Sequence, residues 1–382
     1  MRELIALTGG LGHKEARLAY FNNDLGAQRS AGKKCFPVLP KVVELLGSVA
    51  HSEHAKAAGE GEAAAGERAQ QASSLCALLR NVASFGEAKD ECVRAHVVGS
   101  LVRTLETFRE SKQVVIDATA ALCNLASKHE LGKGEDKQQA ERCTAFNAPM
   151  NPSAVPALIG ALQRWQGEDA VCARVCSTLA HVVKHGGGGA GKAARRLAEP
   201  AIPLFVGALR AHAGSELVCQ DASALLADMA LGGPSDADAI RIRNACVDAG
   251  AAEALVAALN AHVGTPRVCE KVCNAISNIA YGEPVHDDRV RGRRSRFLPA
   301  LPSLKTASIK HGQDAAVREH VMGTLAYIFG EDATALAGYA GETKQIAESL
   351  AGFLKVGAKS PVKELRVSAS KALDGLKMSP YF

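Results

Sequence analysis

Six polar side chains recur at one place in a repeated apolar hexapeptide, which reads LLRNVA, ALCNLA, TLAHVV, LLADMA, AISNIA and TLAYIF. They are Asn81, Asn124, His181, Asp228, Asn278 and Tyr327, at successive spacings of 43, 57, 47, 50 and 49 residues. A side-chain amide carries both donors and an acceptor, so a row of them can pair with successive peptide groups whatever their side chains. Each such bond contributes only about 0.5–1.5 kcal/mol net, so recognition by this chemistry needs many at once. Seven residues before the row stand Asp117, Arg174, Asp221, Lys271 and His320. That offset is two helical turns, which puts both columns on one face. Alternating signs there suit a partner of mixed charge better than a uniformly basic or acidic one.

Other residues point to chemistry less strongly. The run RVRGRRSR holds Arg289, Arg291, Arg293, Arg294 and Arg296, read as a solvated helix or as a contact for an acidic partner. Cys172 with Cys176, and Cys269 with Cys273, have i,i+4 spacing. Zinc sites gather four ligands from short knuckle spacings, and other repeats fill these columns with Val115, Thr119, Ser223 and Met322. These thiols therefore read as small buried apolar groups, and no metal or cofactor is expected. The 12 histidines read as scattered. Neither a G-x-S-x-G elbow nor a phosphate-binding GK[ST] loop is present, so the expectation is a protein that is not an enzyme.

The elements that would position these groups follow from periodicity. Offsets −10, −6, −2 and +1 from the polar column are apolar in nearly every copy, for example Val218, Ala222, Leu226 and Met229. Those offsets share one side of an α-helix. A second helix recurs upstream (VGSLVRTL, VPALIGAL, IPLFVGAL, AEALVAAL), and a short polar one lies further upstream, as in SDADAIRIRNACVDAG at 235–250, so that in chain order the polar-column helix is the third of its unit. Ser235 is expected to cap that helix and Gly250 to end it. Three helices per unit of roughly 45 residues lie in the armadillo and HEAT range. The fold class expected is all-α, a right-handed solenoid.

The units parse as a partial one at 37–86, then 87–130, 137–186, 189–232, 235–282, 284–330 and a degenerate 332–377. Residues 1–36 are expected to be a cap or poorly ordered, and 378–382 a tail. Flexible insertions are expected near 50–70 and 130–142, with a hinge-like GGGG turn at 186–189. Eleven cysteines without an opening secretory signal read as reduced thiols, in the cytoplasm or alternatively the nucleus. No apolar run is long enough to span a bilayer. A net charge of +5 gives no reason to expect nucleic acid as a partner.

The run ACVDAGAAEALVAALNAHVGTPRVCEKVCNAISNIAYGE, 246–283, resembles an armadillo repeat, and the likeness extends over 37–377. The resemblance implies a scaffold whose third helices line a concave groove and whose column asparagines, here Asn81, Asn124 and Asn278, hold an extended partner by its backbone. His181, Asp228 and Tyr327 are substitutions in that row. Nuclear-transport receptors of this superfamily carry tryptophans four residues before the asparagine. Here that column reads Ala77, Ala120, Ser177, Ala224, Asn274 and Gly323, which argues against peptide import. The function expected is a protein–protein adaptor holding an extended segment or a helical surface. A transport adaptor and a structural subunit of a cytoskeletal or ciliary assembly are the alternatives.

Overall fold

A computed structural model of the chain describes residues 39–55, 62–84, 86–127, 135–146, 154–186, 189–282 and 287–329, with scattered positions between 351 and 374. Every regular element among the described residues is helical. The expected cap over 1–36, the centre of the GGGG turn and the tail lie outside them.

The chain divides into two compact units, one of Met1–Trp165 with His181–Leu197, the other of Gln166–Ala180 with Ala198–Phe382. The first holds α1 (Leu39–Ala55), α2 (Glu62–Val82), α3 (Gly86–Arg94), α4 (Val97–Thr107), α5 (Lys112–Ala126), α6 (Glu135–Ala145) and α7 (Ala154–Arg164). The division falls within α8 (Asp169–His185); α9 (Ala190–Ala198) follows it. The second unit holds α10 (Ile202–Ala211), α11 (Glu216–Ala230), α12 (Ala237–Asp248), α13 (Ala251–Ala261), α14 (Pro266–Ala280), α15 (Asp288–Ser295), α16 (Leu301–Lys310) and α17 (Ala315–Phe329).

Within each unit, like packs on like. In the first, third helix α2 lies along α5, and the second helices α1, α4 and α7 stack in order. In the second, α11, α14 and α17 stack as third helices, and α10 lies on α13. The periodicity explains this. Every apolar residue in the −10, −6, −2 and +1 columns is at most 5% exposed, from Leu75 and Val82 to Leu325 and Ile328, and only the polar Gln71, at −10 in the first copy, is half-buried. A broad apolar side of that kind is covered only when a neighbouring helix lies on each flank.

Helix ends are set locally. Asp236, one residue after the expected Ser235, caps α12 by accepting from the N–H groups of Asp238 and Ala239. An aspartate there also favours the positive end of the helix dipole. Asp287 caps α15 the same way. Pro266 opens α14, where its missing N–H costs nothing. Gly250, at φ 81°, turns the chain from α12 into α13 in a conformation that side chains disfavour.

Two expected insertions are shorter than the composition suggests. Helix α1 runs to Ala55 and α2 starts at Glu62, so most of 50–70 is helical despite Gly66. Helix α6 occupies Glu135–Ala145, so much of 130–142 is the short first helix of its repeat rather than a loop.

Candidate functional site

The polar column lies on the third helices, and the structure shows how its members are used. Asn124 Nδ2 donates to the carbonyl of Arg80 at 2.9 Å, and Asn278 Nδ2 to that of Ala227 at 2.9 Å. Both acceptors belong to the preceding third helix. The amides therefore tie neighbouring repeats together and keep only part of their hydrogen-bonding capacity for a ligand. The remaining members differ by type. Asn81 is half-buried, and its carbonyl accepts from Ser84 Oγ. Asp228 is buried. His181 Nδ1 lies 3.5 Å from Gln139 Nε2. Tyr327 packs edge-on against Tyr281 with ring centroids 5.5 Å apart.

A purely ligand-facing asparagine could be truncated without structural cost; these two cannot. Asn278→Ala removes a donor from the Ala227 carbonyl and should cost about 1 kcal/mol of stability. A urea titration showing no shift in midpoint would mean that water replaces the amide.

The second column separates the two units. In the first, Asp117 is 3% exposed and accepts from Arg80 Nη1 at 2.6 Å, Ser73 Oγ at 2.8 Å and Gln113 Nε2 at 3.0 Å. It is consumed internally, not offered to a groove. In the second, Arg174, Asp221, Lys271 and His320 are half-buried, and Arg267 and Glu270 join them. Glu270 pairs with Lys271 at 2.7 Å and sits 4.0 Å from His320 Nε2. Burial pushes the Asp221 carboxyl up to about 6, against the pull of Gln220, Arg267, Arg174 and Lys271. Burial likewise holds His320 below its ordinary value, opposed by Glu270. The result is a strip of alternating charge on successive third helices.

The arginine run is not the solvated patch its composition suggests. Arg293 and Arg294 are 5% and 6% exposed. Arg293 donates to the Tyr281 carbonyl at 3.1 Å and to Asn244 Oδ1 at 2.7 Å, and Arg294 to the Gly282 carbonyl at 3.2 Å. A Cβ on Gly282 would stand 2.5 Å from Arg293 Nη2, so the close approach depends on glycine. The cause is the end of α14, whose last carbonyls lack helical partners and attract cations. Arg289 and Arg296 are exposed, Arg291 partly so; Arg291 pairs with Asp288, and Arg296 lies 3.5 Å from Glu253. Arg243, fifteen residues after Asp228 as Arg293 is after Asn278, does the same for α11. That common spacing was available in the sequence.

Three histidines are not scattered. The ring Nε2 of His212 meets the Gln166 carbonyl at 2.7 Å, His262 meets Ala213 at 2.9 Å, and His311 meets Val263 at 2.9 Å. A carbonyl only accepts, so each Nε2 carries the proton. In the first unit Trp165 Nε1 donates to the Arg109 carbonyl at 3.0 Å in the equivalent way. The acceptor in the second unit is always the residue after the preceding ring. The thiols of Cys172, Cys219 and Cys269 reach those same carbonyls at 3.4, 3.4 and 3.6 Å. Burial raises all three thiols to about 11, which keeps them protonated as weak donors to those carbonyls. No cluster of potential metal ligands occurs among the described residues.

No family model matches the chain, and no curated protein does. A solved structure, from work on a phosphorylation switch controlling the interaction between cadherin and β-catenin, covers 89% of this chain and 83% of its own. Its identity is 10% and its TM-score 0.35, too low to bear on fold or function. The all-helical architecture stands on the helices described above. No described helix is long and apolar enough to cross a membrane.

Proposed function

We propose that the chain is a non-enzymatic, armadillo-type scaffold that binds another protein along its third helices, in the cytoplasm or nucleus. The reading extends the like-on-like stacking of each unit into one solenoid. The carrying observation is the strip Arg174, Asp221, Glu270, Lys271 and His320, half-buried on successive third helices. Half-buried charges are costly to hold and strengthen any complementary contact made over them. The strip suits an extended or helical segment of mixed charge. Asn278, with one amide hydrogen and its carbonyl still uncommitted to Ala227, adds a backbone contact beside it.

The reading is tested in two stages. Crosslinking of an affinity-captured partner should map to the third helices. The double variant Arg174→Glu with Lys271→Glu should then weaken that partner by about 2 kcal/mol or more, whereas Lys305→Glu on α16 should leave it unchanged. Equal binding by wild type and double variant would reject the groove. Crosslinks confined to first or second helices would favour the structural-subunit alternative.

A further inference from the structure

The first unit carries a recess unrelated to the third-helix strip. It lies between second helices α4 and α7 and encloses about 550 Å³, within the range of ligand-binding clefts. Leu105, Val115, Ala157 and Ala161 form its apolar floor. Its rim is polar and mostly exposed, with Glu106, Arg109, Glu110 and Arg164 around the mouth.

The rim is held in place by its own bonds. Arg164 forks onto Glu110, with Nε donating at 2.8 Å, and the Arg164 guanidinium lies 5.6 Å from the Trp165 ring centroid. The Trp165 indole donates to the Arg109 carbonyl, fixing the corner between the two helices. The Arg164 hydrogen bond also holds the Glu110 carboxyl below its ordinary range. Glu110 is thereby committed, to Arg164 and also to Arg109 Nε at 3.7 Å, whereas Glu106 has no ion-pair partner among the described residues. Above the recess the face is open: a Cβ on the exposed Gly160 would meet no atom within 4 Å.

We propose that this recess is a docking site for a partner segment that seats branched aliphatic side chains on the Leu105–Ala161 floor and sets a lysine or arginine against Glu106. Charge complementarity selects the occupant: both rim arginines pair with Glu110, so the rim charge left without a partner among the described residues is the negative Glu106. An open mouth favours a peptide segment, since small molecules bind where most of their surface is enclosed. A cation within one helical turn of the aliphatic anchor reaches both features at once.

The test uses the full chain and a random-peptide display library, counter-selected on Gly160→Phe. That substitution fills the open space above the floor and replaces a helix-interior glycine with a better helix former, so it should not unfold the protein. A thermal melt verifies this. The enriched peptides should pair aliphatic residues with Lys or Arg, and a synthetic representative should bind Gly160→Phe at least about tenfold more weakly. Glu106→Lys should weaken it as much, and Glu106→Gln by a smaller factor. Peptides that bind Gly160→Phe as well as wild type, or that lack a cation, would overturn the proposal. So would indifference to Glu106→Lys. None of these outcomes depends on the third-helix strip, which lies in the other unit.

Discussion

Replacing Arg243 with alanine is expected to cost about 3–5 kcal/mol, through the cavity left by a large buried side chain and the carbonyls left without their charge-assisted hydrogen bonds. The side chain is 1% exposed. Its Nε donates to the carbonyls of Ala230 and Asn278, both at 3.0 Å, and its Nη atoms donate to those of Gly232 and Gly233. The guanidinium also sits 4.9 Å from the Tyr281 ring centroid. Truncation leaves dry carbonyls at the end of α11, each losing a charge-assisted bond, and a cavity where the stem lay. Arg243→Lys should recover only part of the loss, because a point charge cannot fork across several acceptors. Arg243→Met keeps much of the packing without the donors, so the interval between Met and Lys isolates hydrogen bonding. Urea denaturation of the full chain gives the measurement. A loss under about 1 kcal/mol would show that water satisfies these carbonyls.

The same residue shows where the sequence can be read and where it cannot. Helix positions were legible because burial follows a period: the columns holding Val218, Ala222, Leu226 and Met229 are apolar by type except at Gln71, and their apolar members are all buried. Gly250 was legible because few other residues take a left-handed turn cheaply. The targets of the polar groups were not legible. Whether Asn278 faces a ligand or the Ala227 carbonyl depends on backbone from another repeat, which residue type does not specify. Arg293 and Arg294 misled for a related reason. A basic run is ordinarily solvated, and only the unpartnered carbonyls at the end of α14 draw these two inward.

The histidine edge was hidden differently. Its members recur about once per fifty residues, and the equivalent in the first unit is Trp165 rather than a histidine. What is common to them is a ring N–H at one position, a chemical identity that residue type obscures. Loop-like composition hid α6 as well: Glu135–Ala145 is mostly polar because a short first helix covers little of the core. Repeat architecture is thus legible through its apolar columns, whereas the bonds that hold adjacent repeats in register are legible only once the stacking is known.

Asp221→Asn is expected to stabilise the protein at neutral pH, the opposite of what removing a charge beside three cations suggests. Burial is the largest influence on this carboxyl and lifts it from 3.8 to about 6, so Arg174, Arg267 and Lys271 do not repay its desolvation. The sign follows from linkage. A folded carboxyl that holds its proton more tightly than the unfolded one favours folding most below the unfolded value, near pH 3.8. That contribution is lost as pH rises and is gone above about 6. A shift of roughly two units corresponds to about 1–3 kcal/mol, allowing for partial exposure. Asp221→Asn should therefore exceed wild type by that amount at pH 7.5, with the gap narrowing below pH 6 and nearly closing near pH 4. Asparagine can still accept from Gln220, so the comparison isolates charge. If wild type is the more stable at pH 7.5, the three cations outweigh burial after all. A costly carboxylate on a half-buried strip makes sense if a partner's cation uses it. The variant that raises stability should then weaken a partner bound along the third helices, and partner affinity for wild type should fall as pH drops through 6. A stabilised variant that binds the partner unchanged would separate Asp221 from recognition and leave its burial without a functional reason.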